Sequence, residues 1–194
     1  MPTEACSAQR RGQVSDISHA QRVPGWMDDE ELVYLAGEAS RHALIVEVGS
    51  WMGRSTCAMA ANTQGRVIAC DTWAGSPEHA DMLKDKSPRW LKEQFLAHAG
   101  QYENMVPFQC ESVALAYAFG KLGIYPDMVF LDAGHDYESV KADILAWKPL
   151  LRSSNSVMCG HDYSDQYWPG VKRAVTELVP KFRTVHSIWT TEGA

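Results

Sequence analysis

The stretch IVEVGSWMGRS, residues 45–55, constrains the fold of this chain more than any other. It begins with an apolar, partly β-branched run of the kind that forms a buried strand and that carries one acid, Glu47. Two glycines follow, which permit a tight turn where a ligand can approach the main chain. Ser55 is then placed to cap an apolar helix over residues 56–61. Strand, glycine turn and helix predict the first unit of a doubly wound α/β sheet, in which ligands bind beyond the carboxyl ends of the strands.

The spacing of the glycine turn narrows the choice of ligand. It lacks the G-x-G-x-x-G pattern that seats a diphosphate on a helix N-terminus, since Trp51 and Met52 stand between Gly49 and Gly53. A nucleoside without a diphosphate suits it better. S-adenosylmethionine is such a ligand, and Glu47 suits its ammonium or sulfonium charge. The alternative is an ordinary strand-to-helix turn with a buried, capped Glu47.

Size and charge exclude several classes of function. The 194 residues suffice for one α/β domain with its own core. A net charge of -6 without a basic stripe argues against a nucleic-acid partner, and the apolar runs are of strand length, so we expect no membrane partner. No secretion leader is recognisable at the polar N-terminus. Five scattered cysteines without a Cys-x-x-Cys pair predict reduced thiols in a cytoplasmic protein.

The N-terminal region differs in pattern from the rest of the chain. Residues 1–22 are polar and aperiodic, so we expect a flexible N-terminal arm there and a single domain over residues 23–194. Asp28 and Glu31 predict a capping box at the start of the first helix. The oligomeric state is left open, a homo-oligomer included.

A second acid follows the second predicted strand. Residues 67–70 are strand-like and end in Asp71, close to the roughly twenty-residue offset at which an acid grips a ribose diol in nucleoside-binding folds. The alternative is a strand-end aspartate that caps the next turn. Residues 72–86 lack a clear period and are predicted to be a loop that covers the substrate as a lid.

The C-terminal half places polar residues after two further strands, predicted over residues 127–132 and 156–160. The tetrapeptide GHDY occurs twice, at residues 134–137 and 160–163. Because alternating strands and helices predict a mostly parallel sheet, these strands should end on the same side. The side chains expected to gather at that rim are Asp132, His135, Asp136, His161 and Asp162.

Five blocks in this order resemble the class I S-adenosylmethionine-dependent methyltransferases: IVEVGSWMGRS, VIACDTW, FQCES, MVFLDAGHDYESVKADILAWKPLL and CGHDY. Within that class, the chain looks like the small branch that includes macrolide-sugar O-methyltransferases and cephalosporin-hydroxylase-like proteins. The likeness runs from about residue 24 to the C-terminus. It implies a Rossmann-like class I methyltransferase fold: a mostly parallel seven-stranded sheet with helices on both faces and an antiparallel last strand.

The resemblance also implies site residues. S-adenosylmethionine would contact Glu47, Gly49, Ser50, Trp51, Ser55, Asp71, Thr72, Trp73, Glu111, Ser112 and Asp132. Metal-dependent relatives hold Mg²⁺ with an acid after the fourth strand and two residues after the fifth, which here are Asp132, His161 and Asp162. Relatives often have Glu-Asp where His161 and Asp162 stand. Because Mg²⁺ prefers oxygen ligands, another divalent metal or none stays open.

The function implied is O-methylation of a small hydroxylated acceptor, sugar-like or a secondary metabolite. The protein would position the acceptor. A divalent metal at Asp132 and Asp162 would lower the pKa of the acceptor hydroxyl, and His135 would accept the proton. In sugar-directed relatives, a histidine three residues after the first acid is the proposed base. The alternatives are an NAD-dependent dehydrogenase, an Fe²⁺- and oxygen-dependent hydroxylase-like enzyme, and a cofactor-binding protein without catalysis.

Overall fold

A computed structural model describes residues 15–191, which build a seven-stranded sheet. The strands are β1 Leu44–Val48, β2 Arg66–Asp71, β3 Met105–Gln109, β4 Met128–Leu131, β5 Val157–Gly160, β6 Phe182–Val185 and β7 Ile188–Thr191. Their spatial order is β3-β2-β1-β4-β5-β7-β6. Neighbours from β3 to β5 pair in parallel, whereas β7 is antiparallel to both β5 and β6. The predicted class I fold with an antiparallel last strand is thereby confirmed.

Helices cover both faces of the sheet. They are α1 Asp29–Ala39, α2 Arg54–Asn62, α3 Ala80–Leu83, α4 Trp90–Ala99, α5 Ser112–Leu122, α6 Tyr137–Trp147 and α7 Pro169–Leu178. One apolar core joins α1, α2 and α4 to one face, and a second joins α5, α6 and α7 to the other. Successive strand residues alternate between these cores, as Ile45 and Val46 do. No helix within residues 15–191 has both the length and the apolar character needed to cross a membrane.

The centre of the sheet determines where a ligand can bind. β1 lies between β2 and β4, so the chain reverses its direction of travel across the sheet at this point. Such a switch point leaves a crevice beyond the carboxyl ends of the strands. Gly49 has a left-handed φ of 86°, and a side chain there would meet the Asp132 carbonyl oxygen at 2.1 Å. Glycine is therefore required where the loop after β1 crosses the end of β4.

The predicted strand, glycine turn and helix are present, but the predicted Ser55 cap is wrong. Gly53 occupies the N-cap position in a left-handed conformation, with φ 93°, and provides no side-chain cap. Ser55 lies one residue inside the helix, and its hydroxyl donates a hydrogen bond to Glu47 instead. The reason is that the buried carboxyl of Glu47 lies within reach of the first helical turn.

The described part of the predicted arm packs onto the domain. Residues 20–22 form a 3₁₀ turn, and Ala20 is buried in the core that contains α2. The Arg54 guanidinium donates hydrogen bonds to the carbonyls of Ala20, Val23 and Met27. The predicted capping box of α1, made by Asp28 and Glu31, is confirmed. Residues 1–14 of the predicted arm lie outside the described residues.

Candidate functional site

A cavity of about 630 Å³ lies beyond the carboxyl ends of β1, β2, β4 and β5. This volume is typical of cofactor and small-molecule sites, which span about 300–1,000 Å³. Most of the site residues predicted from the sequence line this cavity. They are Gly49, Ser50, Trp51, Ser55, Asp71, Thr72, Glu111, Ser112, Asp132, His135, His161 and Asp162. The structure therefore brings the glycine loop and the predicted rim of acids and histidines to one space.

Glu47 does not line this cavity, contrary to the prediction that it contacts the cofactor. Its side chain is fully buried, and its two carboxyl oxygens accept hydrogen bonds from the hydroxyls of Ser55 and Thr56. Burial raises its pKa to about 7 even though these hydroxyls oppose the shift. Glu47 is directed toward α2 because it lies on the same strand face as Ile45. The observed environment is the buried, capped glutamate that the sequence left as an alternative.

Asp71 lines the cavity but is already heavily hydrogen-bonded. Its Oδ2 accepts from the backbone N–H groups of Ser50 and Trp51 at 2.8 and 2.9 Å, and its Oδ1 accepts from that of Trp73 at 2.6 Å. Burial raises the pKa of Asp71 against the effect of these donors. A carboxylate has about four acceptor positions, so about one remains for a ligand. Asp71 therefore fixes the conformation of the glycine loop.

Trp73 also lies away from the cavity, although the resemblance implied that it contacts the cofactor. Its ring is buried against Phe95, and its Nε1 donates to the Trp51 carbonyl at 3.1 Å. Both tryptophans have left-handed backbone conformations, with φ 46° at Trp51 and 50° at Trp73. The turn after β2 therefore folds Trp73 back into the core, while Trp51 remains at the cavity.

The part of the cavity near β3 contains an acid that the sequence did not single out. Asp143, on α6, lies beside Ser112, and burial raises its pKa to about 6 against the hydrogen bond from Ser112. Ser112 also accepts a hydrogen bond from Trp147 Nε1 at 2.9 Å. Nothing local in the sequence distinguishes Asp143 from other helix residues. Its position follows from the packing of α6 against α5.

The hydroxyl of Ser50 lies buried just behind the cavity wall, near the Glu47 carboxyl, whose pKa burial raises and this hydroxyl helps to lower. It is buried and has no hydrogen-bond partner of normal geometry among the described residues. Buried polar atoms are normally paired, because an unpaired one carries a desolvation cost of about 1–3 kcal/mol. Ser50 itself lines the cavity, so a bound ligand toward which this hydroxyl turns would satisfy it, and in this respect the glycine loop fits a cofactor.

At the opposite end of the cavity, His135 lies between two carboxylates. Its Nδ1 is 2.6 Å from Glu78 Oε1, its Nε2 is 2.9 Å from Asp162 Oδ2, and its ring stacks on Trp168 at 4.0 Å. Burial lowers the pKa of His135, but the two carboxylates outweigh it and the net shift is upward. Both nitrogens can donate only when the ring is protonated. Glu78 belongs to the predicted lid, and no local pattern in that segment indicates its contact with His135.

His161 forms a second, more buried group with three acids. Its Nε2 lies 3.1 Å from Glu31 Oε2, and its Nδ1 lies 3.3 Å from Asp162 Oδ1 and 3.6 Å from Asp132 Oδ1. Burial lowers the pKa of His161, but the surrounding carboxylates raise it overall. Burial opposes ionisation of Asp162, yet both histidines hold its pKa well below the ordinary value. Glu31 was recognised in the sequence only as a capping residue.

The predicted metal trio is brought together. Asp132, His161 and Asp162 each offer one ligand atom, and these atoms lie within 4.8 Å of one another. Asp136, which the sequence also placed near this rim, instead caps α6, where it accepts from the Ser139 N–H at 3.1 Å. The trio offers one nitrogen and two oxygens, a donor set that suits a transition metal better than Mg²⁺.

Comparison with known proteins identifies the class. A family model described as a methyltransferase domain matches residues 46–163, so the chain belongs to this methyltransferase family. No curated protein matches the chain.

Solved structures with the same fold share little sequence with this chain. CalS11, a TDP-rhamnose 3'-O-methyltransferase of calicheamicin biosynthesis, is 18% identical, with a TM-score of 0.60 over 83% of this chain and 76% of that one. A Bacillus cereus O-methyltransferase in complex with SAH is 18% identical, with a TM-score of 0.59 over 88% and 84%. MycE, a mycinamycin-pathway methyltransferase with Mg, SAH and mycinamycin VI, is 14% identical, with a TM-score of 0.60 over 94% and 55%.

Proposed function

We propose that this protein is an S-adenosylmethionine-dependent O-methyltransferase whose acceptor is a small hydroxylated molecule, sugar-like or a secondary metabolite. The observation that carries the proposal is that one cavity joins a glycine loop unsuited to phosphate with a carboxylate–histidine pair, Asp162 and His135. The first feature accommodates a charged nucleoside, and the second can take a proton from an acceptor hydroxyl.

The glycine loop favours a cofactor without a diphosphate. In dinucleotide-binding folds, loop N–H groups point at the pyrophosphate. Here the N–H groups of Ser50 and Trp51 already donate to the Asp71 carboxylate, so a diphosphate would find no donor there and would meet a negative charge. A sulfonium cation is attracted by the same charge. This contrast argues for S-adenosylmethionine and against the NAD-dependent alternative.

The residues proposed to hold the cofactor all line the cavity, and the resemblance to class I methyltransferases supplies the part of the cofactor assigned to each. They are Gly49, Ser50, Trp51 and Ser55 at the methionine end, Asp71 and Thr72 at the ribose, Glu111 and Ser112 at the adenine, and Asp132 near the reacting carbon. Glu47 and Trp73 lie behind this wall and stabilise it, because the Ser55 hydroxyl donates to Glu47 and Trp73 Nε1 donates to the Trp51 carbonyl.

The chemistry proposed for His135 depends on its two carboxylate partners. Asp162 accepts from Nε2, which orients the ring and leaves Nδ1 as the nitrogen that faces Glu78. When Glu78 moves away with the lid, a hydroxyl acceptor could occupy its place at Nδ1 and pass its proton to the ring. Trp26, Trp51 and His79 form an aromatic cluster on the cavity wall, with ring centroids 4.4–5.5 Å apart, and such faces suit a sugar ring.

We also propose a divalent metal, with Asp132, His161 and Asp162 as its ligands. When bound there, it would supply Lewis-acid activation of the acceptor oxygen. The fit rests on the donor set, because the three ligand atoms converge and Nε2 of His161 is bonded to Glu31 on the side away from them. The solved relative MycE contains Mg.

The proposal is tested by methyl transfer to a panel of sugar nucleotides, glycosides and catechols, measured as release of S-adenosylhomocysteine. We expect activity with at least one acceptor and a loss of about 10²- to 10⁴-fold in His135→Ala. His186 is the matched control, because it also lies near two carboxylates, Glu30 and Asp28, but outside the cavity. Full activity of His135→Ala, or no binding of S-adenosylhomocysteine by the wild type, would refute the proposal.

The proposal also covers the cellular location of the protein and its partners. We expect a cytoplasmic protein with a small-molecule acceptor and with neither nucleic acid nor membrane as partner. The free thiols of Cys57, Cys70, Cys110 and Cys159 agree with a reducing compartment. Cell fractionation and the elution volume on a sizing column would test the location and the oligomeric state.

A further inference from the structure

Glu31 is a buried glutamate of α1 that contacts His161 on the side opposite Asp132 and Asp162. Only 4% of Glu31 is exposed. Its Oε2 lies 3.1 Å from His161 Nε2 and accepts from the Asp28 N–H at 3.0 Å, while its Oε1 accepts from the N–H of Ser187 at 3.1 Å and from the Ser187 hydroxyl. Three fixed donors are thus directed at this carboxylate, namely the N–H groups of Asp28 and Ser187 and the Ser187 hydroxyl.

These contacts determine which nitrogen of His161 carries a proton. The Ser187 hydroxyl lies 2.9 Å from Nε2, but it already donates its hydrogen to Glu31 and therefore can only accept from the ring. Glu31, being ionised, can only accept as well. Nε2 must then hold an N–H whether or not the ring is charged. The lone pair of a neutral His161 is consequently on Nδ1.

Nδ1 is directed at the gap between Asp132 and Asp162. Its distances of 3.3 and 3.6 Å to their nearest oxygens are longer than a normal N–H···O hydrogen bond of about 2.7–3.2 Å. Ligand atoms around a transition metal, each bonded at about 2.1 Å, lie about 3.0–3.4 Å apart. The separations at Nδ1 thus resemble those of metal ligands more than those of hydrogen-bonded partners.

A histidine that ligates a metal through one nitrogen usually donates its other N–H to a carboxylate or a carbonyl. Glu31 stands in that position toward His161. We propose that Glu31 is a positioning residue that makes His161 Nδ1 a nitrogen ligand, so that the site prefers a transition metal such as Mn²⁺ over Mg²⁺. This rests on the proposed function and specifies the metal of the same site.

The experiment uses Mn²⁺ and Mg²⁺ as probes on the full-length protein. Calorimetry gives the two affinities, and pulsed electron paramagnetic resonance of the Mn²⁺-loaded protein reports directly bonded nitrogen through its ¹⁴N coupling. We expect the wild type to bind Mn²⁺ more tightly than Mg²⁺ and to show the nitrogen coupling. Glu31→Ala should lose the coupling and bind Mn²⁺ about 10- to 100-fold more weakly.

Asp28→Ala is the matched control, because it removes the other half of the capping box but leaves the contact of Glu31 with His161. It should keep the wild-type Mn²⁺ affinity and the nitrogen coupling. Absence of the coupling in the wild type, or its persistence in Glu31→Ala at unchanged affinity, overturns the inference. The wild-type spectrum decides on nitrogen ligation even if Glu31→Ala fails to fold.

Binding of S-adenosylhomocysteine to the same samples separates the two proposals. If the wild type binds it but shows no nitrogen coupling, only the role of Glu31 is refuted. If the wild type does not bind it, the methyltransferase proposal itself fails.

Discussion

Around the glycine loop, the carboxyl groups of Asp71 in the cavity wall and of Glu47 buried behind it are bonded to uncharged hydroxyl and backbone N–H groups. At the other end, His135 is bonded to two carboxylates, and His161 lies among three. Burial raises the pKa of both acids in the first region, whereas carboxylates raise the pKa of both histidines in the second.

This difference matters for function. Hydrogen bonds from neutral groups fix the conformation of the glycine loop, and few of its donors and acceptors remain free to change partners. That region is therefore suited to hold a cofactor in one place. At the other end, a metal ion can displace the protons shared between histidines and carboxylates. A histidine that has lost its proton can also accept one from a substrate. The rim is therefore the region where chemistry can occur, and three variants test the contrast.

The largest effect is expected from Asp71→Ala. It leaves the N–H groups of Ser50, Trp51 and Trp73 without their acceptor, so the loop should lose its conformation. We expect the free energy of unfolding to fall by about 3 kcal/mol. Binding of S-adenosylhomocysteine should weaken by at least about 100-fold, which corresponds to about 2.7 kcal/mol. Urea unfolding and calorimetry measure the two quantities.

Asp127 offers the control for this variant at the opposite end of the sheet. Its carboxylate accepts from the backbone N–H groups of Ala43 and Leu44 at 3.0 and 2.7 Å. Asp127→Ala should also lose stability, by about 1–2 kcal/mol, but should bind the ligand like the wild type. Equal loss of binding in both variants would show that the effect of Asp71 is only one of stability.

Glu47→Gln should remove part of the pH dependence of folding. A carboxyl group whose pKa is about 7 in the folded state and 4.5 as its ordinary value binds its proton more tightly when folded. The wild type should therefore lose stability as the pH rises from about 4.5 to about 7, by about 3 kcal/mol from this group. In the variant that contribution disappears.

Urea unfolding of both proteins between pH 5 and pH 8 isolates Glu47, because other groups contribute equally to each. Ligand affinity in the variant should stay close to that of the wild type, since Glu47 does not reach the cavity. A large loss of S-adenosylhomocysteine binding would instead support the direct contact that the sequence predicted.

The smallest effect is expected from Glu78→Gln at the rim. Loss of one of its two carboxylate partners should lower the pKa of His135, so that the neutral ring is present at lower pH than in the wild type. Histidine resonances followed by NMR during a pH titration of the metal-free protein measure this directly. Glu111→Gln, an exposed cavity residue without contact to His135, should leave the titration unchanged. An unshifted His135 in Glu78→Gln would mean that Asp162 alone controls the ring.

The fold and part of the site follow from local patterns. The apolar run that contains Glu47, the glycine turn and the alternation of strands with helices predicted the mostly parallel sheet, because strand periodicity and glycine conformations depend on residues close in sequence. The trio Asp132, His161 and Asp162 could be predicted for a related reason. Neighbouring parallel strands end at the same edge, so residues that follow them meet.

The partners of these residues could not be predicted in the same way. Glu78 and His135 are 57 positions apart, and Glu31 and Ser187 are 156 apart. Glu78 lies in the predicted lid, Glu31 at the start of α1 and Ser187 in the turn between β6 and β7, and each has an ordinary local role there. Only the packing of distant segments places them against the histidines.

The sequence by itself determined the order of the elements, the glycine-requiring turn and the edge of the sheet where acids and histidines collect. The tertiary structure decided which of their oxygens and nitrogens are already bonded. It left Glu47 and Trp73 outside the cavity and placed Glu31 against His161 and Glu78 against His135. The physical reason is that periodicity records burial along one segment, whereas hydrogen bonding and charge pairing depend on distances between segments that meet only after folding.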